Sequence, residues 1–341
     1  MKDYILLEKD RSFISAKDNL RIFYDVYMPN VLTDSITLIQ IAHGMVEHKG
    51  RYEWVGSSLA KEGFVIAIAD HRGHGKSIDE NHEWGEMKGM PSDMPHKPRI
   101  ESSAQSVSES GFEYAIDDMH ELTLLLKKRF KPKKFVLLGH SMGSLLARGY
   151  LKLYKHELSA LILSGSPAYN PLVPFGIFLA HILHKCHLYT WGKHFINSIS
   201  FGGFNKPFLR DKNEDRDFAW LCRDRAVVNA YKADSACMFV FSLQSFIGLF
   251  KGMQWVNDVH SLQGEHLPML IISGLQDSCG KFGAGVEKIA KAYAKSGFDV
   301  HLKLYEGARH EILNEINKQE VLDDICSFVR SLPFAPLHAK G

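Results

Sequence analysis

Cysteine is scarce in this chain, and the thiols it has are not arranged to do structural work. Cys186, Cys222, Cys237, Cys279 and Cys326 are scattered, odd in number and without a C-x-x-C pair, which argues against a disulfide framework or a zinc ribbon and suits a reducing, cytoplasmic compartment. Charge of one sign is not in excess either. With 41 Lys and Arg against 39 Asp and Glu, no basic surface for phosphate chains is implied and no nucleic-acid partner is expected. A long apolar run is missing too. Met1–Phe13 carries Lys2, Asp3, Glu8, Lys9, Asp10 and Arg11 where a signal peptide has its apolar core, so secretion is not expected. The greasiest stretch, Phe175–Trp191, is broken by His181, His184, Lys185 and His187, which suits an amphipathic or interfacial helix rather than a membrane span. Two further signatures fail on inspection. Gly73-His74-Gly75-Lys76-Ser77 ends like a phosphate-binding loop, but Asp70 stands where that loop needs its first glycine. His43, His48, His71 and His74 crowd one region without any metal-ligand spacing. Neither a metal nor a cofactor is expected.

What the chain does have is core-forming residues in an alternating order. Of its 341 residues, 45% are hydrophobic and 23% charged, enough to bury a sizeable core. Period-2 patterning over Leu20–Met28 predicts an early antiparallel strand, preceded by a short one at Phe13–Ala16. Short apolar runs at Ile36–Ala42, Phe64–Ala69, Phe135–Leu138, Ala160–Leu163, Leu267–Ile272 and Val300–Leu304 read as strands buried on both faces. Helix-period segments lie between them at Tyr52–Glu62, Phe112–Lys131, Met142–Tyr154, Phe282–Lys295 and Lys318–Val329. Strand and helix in alternation predict an α/β fold with a mostly parallel sheet and helices on both faces, its functional loops at the carboxyl ends of strands. Two stretches break the rhythm. Residues 78–110 are polar and turn-rich and read as a long loop excursion. Residues 166–263 carry helical patterns at Ile177–Leu188, Phe218–Ala230 and Phe239–Phe250, and read as a helical cap inserted into a core of residues 1–165 and 264–341.

The sharpest local signal is Gly139-His140-Ser141-Met142-Gly143, directly after one predicted strand and before a predicted helix. That strand–turn–helix setting is what a nucleophilic serine needs, because the tight turn lifts its hydroxyl out of the sheet. A serine hydroxyl requires a base, and the base a partner. Asp277 follows the strand Leu267–Ile272 and His310 follows Val300–Leu304, so adjacent parallel strands would bring the two loops together in the order Ser, acid, His. Taken alone, Asp277 would read as an ordinary turn or cap residue. His301 lies within its strand and cannot reach a loop above the sheet. Two backbone N–H groups, those of Met142 and Met45, are the expected oxyanion donors, with Gly44 permitting the turn that aims the second. Substrate contacts are expected from His43, Gly44 and His140, and from cap residues around Phe178, Phe241 and Phe246. The apolar residues of the cap are read equally well as lid packing.

Taken together, His43-Gly44-Met45-Val46-Glu47-His48 with Arg51-Tyr52, Asp70–Ser77, Gly139–Gly143, Gly274–Asp277 and Gly307–Glu311 resemble the monoacylglycerol lipase and lysophospholipase group of α/β-hydrolases, related to the S33 serine aminopeptidases. Trp220–Asp224 and Lys232-Ala233-Asp234 are similar to cap segments of its bacterial members. The resemblance implies the α/β-hydrolase fold and a serine esterase that removes a single acyl chain from a monoacylglycerol or lysophospholipid under an apolar cap, with transient contact between cap and membrane. The excursion over 78–110 is longer than the family pattern. Small esters, thioesters or peptides remain the alternative substrates, since fold and triad do not fix them. A non-catalytic binding protein is disfavoured by the intact Ser141, Asp277 and His310.

Overall fold

A computed structural model describes residues 5–87, 110–260 and 262–333. The strands are β1 (Ile5–Ile14), β2 (Arg21–Pro29), β3 (Thr37–Ala42), β4 (Val65–Ala69), β5 (Lys134–His140), β6 (Ala160–Ser164), β7 (Pro268–Gly274) and β8 (Asp299–Tyr305). The helices are α1 (Glu53–Lys61), α2 (Gly111–Phe130), α3 (Met142–Tyr154), α4 (Val173–Lys185), α5 (Tyr189–Phe201), α6 (Arg225–Ala233), α7 (Leu243–Asn257), α8 (Ala284–Lys295) and α9 (Lys318–Ser331). The strands form one sheet in the order β1-β2-β4-β3-β5-β6-β7-β8, antiparallel at β1–β2 and β2–β4 and parallel from there on. The chain runs outward to β4 on one side of β3 and to β5 on the other. The carboxyl ends of β3 and β5 therefore flank the topological switch point, where α/β sheets place their ligands.

Alternation along the strands builds two cores. Leu38 and Ala42 of β3, Phe135 and Leu137 of β5, and Met269 and Ile271 of β7 enter the larger one with α2, α3, α7 and α8. Ile39 and Ile41, Val136 and Leu138, and Leu270 and Ile272 point the other way, into a core closed by α1 and α9. Each such side chain contributes about 1.5–3 kcal/mol on burial, and a slip of one residue in any strand would exchange the two faces. The polar Gln40 on β3 is hydrogen-bonded through both ends of its amide. Gln40 donates to the Met119 carbonyl at 2.9 Å and accepts from Thr123 Oγ1 at 2.8 Å.

Four expectations need correction. β1 occupies Ile5–Ile14 rather than Phe13–Ala16; it is a mostly exposed edge strand, interrupted by a register shift between Glu8 and Arg11, so its period-2 signal is weak. The apolar stretch after β6 forms two helices instead of one over Ile177–Leu188, and the break falls where His187 adopts a φ of 56°. The helix expected at Phe218–Ala230 begins only at Arg225, with the Asp224 side chain accepting from the Ala226 N–H as its N-cap. The residues before it are irregular because their carbonyls serve another loop: Trp220 and Leu221 accept from the His310 and Glu311 amides. The helix expected at Phe239–Phe250 is α7, which starts at Leu243 behind a Ser242 cap. Of the excursion at 78–110, residues 88–109 lie outside the described residues.

Candidate active site

Ser141 sits between β5 and α3 with φ 50° and ψ −118°, a conformation that costs a non-glycine residue about 1–3 kcal/mol and is tolerated where the surroundings dictate it. They do so here. Gly143 packs so tightly on the end of β3 that a Cβ there would lie 2.1 Å from the Ala42 carbonyl oxygen. The Ser141 N–H donates to the Ser164 carbonyl at 3.0 Å, tying the turn to β6.

His310 Nε2 lies 2.8 Å from Ser141 Oγ, and His310 Nδ1 lies 3.0 Å from Asp277 Oδ1. Asp277 is fully buried and also accepts from Ser273 Oγ at 3.1 Å and from the Cys279 N–H at 2.9 Å. Burial alone would raise the Asp277 pKa, but the imidazole and these hydrogen bonds outweigh it and hold the carboxyl below its usual value. For His310 burial pulls the pKa down, and Asp277, with Glu311 and Glu47 behind it, more than reverses this and raises it. Trp220 packs on the imidazole at 5.0 Å between centroids and His140 at 4.9 Å. Spacing brought Ser141, Asp277 and His310 together on paper, and the structure joins them in one hydrogen-bonded row.

The loop after β3 faces this row. An added Cβ on Gly44 would lie 3.3 Å from Ser141 Cβ and 2.7 Å from Glu47 Oε1. His43 is wholly buried; its Nε2 accepts from the His71 N–H at 3.0 Å, so its Nδ1 carries the proton and donates to the Gly44 carbonyl at 2.8 Å. Across a trans peptide the Met45 N–H points opposite to that carbonyl. Neither the Met45 nor the Met142 amide has a hydrogen-bond partner among the described residues. Both residues line the cavity over Ser141.

That cavity, about 1080 Å³, is bounded by Ser141 and His310 on one side and by largely apolar walls from α4, α5 and α7, including Phe175, Leu179, Phe195, Leu249 and Phe250. Its size is at the upper end of ordinary ligand sites, about 300–1,000 Å³. Gly44 and His140 reach it as expected. Four expected contacts do not. His43 is sealed behind Gly44. Phe178 faces outward and is 60% exposed, while Phe241 and Phe246 are packed into the core. Helical periodicity identified the apolar stripes but could not say which faced the cavity.

Sequence reasoning also missed a buried ionic bridge behind the loop. Arg51 forms a two-pronged pair with Glu311 at 2.7 and 2.8 Å and contacts Glu47 at 2.7 Å; Tyr52 donates to Glu47 at 2.9 Å. The i, i+4 spacing of Glu47 and Arg51 was visible, but Glu311 is 260 residues from Arg51 along the chain.

The two rejected signatures have structural explanations. The amides of Lys49 and Lys76 are both taken by Asp70, at 2.8 and 2.9 Å, and Lys76 Nζ pairs with Asp10, so Gly73–Ser77 offers no cradle to a phosphate. His43, His71 and His74 are packed ring against ring. Potential ligand atoms converge within 4.8 Å at Asp277, Cys279 and His310, and at His48, Asp234 and Cys237. His48 Nδ1 accepts from the Gly50 N–H and Nε2 donates to Asp234 at 2.8 Å, so both ring nitrogens are taken by protein partners and neither is free for a metal.

Comparison with known proteins identifies the family and fold. The chain is similar to a monoacylglycerol lipase of Mycolicibacterium smegmatis, 28% identical over 318 residues that span 92% of this chain and 94% of the relative. It is 24% identical to the human monoglyceride lipase across 82% of this chain and 77% of that protein. Among solved structures, a thermostable carboxyl esterase from Bacillus coagulans in complex with glycerol superposes with a TM-score of 0.77 at 24% identity, covering 96% of this chain and 98% of the other, and so has the same fold. A soluble variant of the Saccharomyces cerevisiae monoglyceride lipase superposes at 0.66 and 17% identity, over 94% and 95% of the two chains. The profile of the serine aminopeptidase S33 family matches residues 33–317, most of the chain, and the protein therefore belongs to that family of α/β-hydrolases and is a serine hydrolase.

Proposed function

We propose that the protein hydrolyses the ester bond of a single-chain lipid, a monoacylglycerol or lysophospholipid, through an acyl-enzyme on Ser141. The observation that carries this reading is the hydrogen-bonded row Ser141–His310–Asp277 opening into a large, mainly apolar cavity. His310 Nε2 takes the Ser141 proton as Oγ attacks the carbonyl carbon, and Asp277 steadies the imidazolium. The carbonyl oxygen becomes an oxyanion against the Met45 and Met142 amides. Collapse breaks the ester C–O bond, and the His310 proton goes to the departing glycerol oxygen. Water then attacks the acyl-enzyme, giving its proton to His310, which returns it to Ser141 as the fatty acid leaves. The names of the Mycolicibacterium and human relatives support the substrate class.

In this reading residues 166–263 are a cap over a core of residues 1–165 and 264–341. The outward side of α4 and α5 carries Phe178, Ile182 and Trp191, all at least 40% exposed. Exposed apolar side chains of this kind suit docking on an aggregated lipid surface. No helix among the described residues is long and apolar enough to cross a membrane. The five free cysteines suit a cytoplasmic setting with peripheral membrane contact.

The test is a matched panel of monoacylglycerol, lysophospholipid, short p-nitrophenyl ester and aminoacyl amide, assayed with wild type and Ser141→Ala. Turnover of the long single-chain lipids that vanishes in Ser141→Ala is expected. Turnover of only the amide or the short ester would move the assignment to the peptidase or small-ester branch of the family.

A further inference from the structure

Glu47 is buried at the edge of the cavity, with both carboxylate oxygens taken by protein donors. Its Oε1 accepts from the Gly44 N–H and from the Tyr52 hydroxyl, and its Oε2 accepts from Arg51. Arg51 is in turn gripped by Glu311, the residue after His310. Above Arg51 lies the ring of Tyr231, from α6, at 4.8 Å, and the Tyr231 hydroxyl donates to the Val46 carbonyl at 3.0 Å. Val46 itself has a φ of 59°, so the turn from Gly44 to Glu47 is not one that the backbone would hold unaided.

Two successive peptide planes decide where the Met45 N–H points. The Gly44–Met45 plane is fixed from below by His43 at the Gly44 carbonyl. The preceding His43–Gly44 plane gives its N–H to Glu47. If that amide were released, the His43–Gly44 plane could rotate and carry Met45 with it. We infer that Glu47 is a positioning residue of the oxyanion hole: by accepting the Gly44 N–H it aims the Met45 N–H at the reacting oxygen, and Arg51 carries that constraint on to the His310 loop and to α6. The inference rests on the Ser141 reading above. It assigns Glu47 no contact with substrate and no share in proton transfer.

The reach of the side chain matters in this role more than its charge, and two substitutions separate the two. Glu47→Asp keeps the charge for Arg51 but is one methylene too short to reach the Gly44 amide. Glu47→Gln keeps the reach and an oxygen acceptor but loses the charge. Each variant is measured for kcat and KM on a p-nitrophenyl ester, and for inhibition by a long-chain alkyl trifluoromethyl ketone, whose adduct with Ser141 places an oxyanion in the hole. Glu47→Asp is expected to lose about 100-fold in kcat, the scale of one missing oxyanion donor, with KM nearly unchanged and ketone affinity falling in parallel. Glu47→Gln is expected to retain more of both. If Glu47→Asp equals or exceeds Glu47→Gln, Glu47 serves Arg51 as a counter-ion and the inference fails; it fails equally if kcat drops while ketone affinity stays at the wild-type value. Thermal unfolding of each variant separates loss of the fold from loss of the hole. Ser141→Ala, run alongside, tests the nucleophile separately, so turnover persisting there would overturn the underlying reading whatever the Glu47 variants do.

Discussion

Asp277 touches nothing that reacts; it reaches Ser141 only through the imidazole. Replacing it by Asn leaves the shape but presents an amide N–H to His310 Nδ1, which favours the tautomer whose Nε2 is already protonated and cannot take the serine proton. Asp277→Asn is therefore expected to lower kcat on the order of 10⁴-fold. The pH profile gives a second readout. In the Ser141 reading His310 must be neutral to take the proton, and Asp277 and its neighbours lift its pKa above the ordinary 6.5 against the opposing effect of burial. The acid limb of kcat/KM, which reports the free enzyme, is thus expected above pH 6.5 in the wild type and lower in Asp277→Asn; an unmoved limb would show that another group titrates. At this scale the sequence was informative where chemistry is local, as at Gly139–Gly143, and where strand order implies proximity, as at Asp277 and His310. It was silent on Glu47, because the partners that give that carboxylate its role lie on His43–Gly44 and, through Arg51, on Glu311 at the far end of the chain.

The buried strands were readable because both their faces lie in cores and they appear as unbroken apolar runs. β1 was not, since an edge strand with one neighbour need satisfy no such pattern. The inserted helices were harder again. Their periodicity marks apolar stripes, but a stripe facing the cavity, one packed on α7 and one open to solvent look the same in a sequence. The outward stripe of α4 and α5 has a measurable consequence under the lipid reading. Phe178→Asp and Trp191→Asp remove exposed apolar surface without entering the cavity. Hydrolysis of a monomeric short ester is expected to stay within about twofold, while activity on vesicles or micelles of long-chain monoacylglycerol falls about tenfold or more, on the scale of about 1.5–3 kcal/mol of lost apolar contact. Equal activity on both substrate forms would mean that this face has no part in reaching lipid.

Four neutral histidines are built into the interior of the molecule. Burial, first among the causes, depresses His43 well below the ordinary value, His71 and His140 to about 3, and His74 to about 4. In the unfolded chain each would protonate near 6.5, so between 6.5 and the folded values the unfolded state binds more protons and stability falls as pH falls. His310 and His82, whose values are raised, are protonated in both states below 6.5 and add no slope there. The urea midpoint is accordingly expected to drop between pH 6.5 and 5, less steeply than the four histidines alone would make it, because buried carboxyls with raised pKa values, among them Glu121 at about 7, act in the opposite sense; a midpoint that rises as pH falls across that window would mean that these rings do not stay neutral. The same architecture governs how the protein comes into being. The contacts that complete the proposed hydrolytic machinery join residues 169 and 260 positions apart, and β8, which carries the His310 loop, is the last strand in chain order among the described residues. A chain emerging from the ribosome can seat Ser141 on a half-built sheet long before any base exists to activate it. In the proposed reading, hydrolytic competence therefore waits for the loop beyond β8 to dock on Ser141.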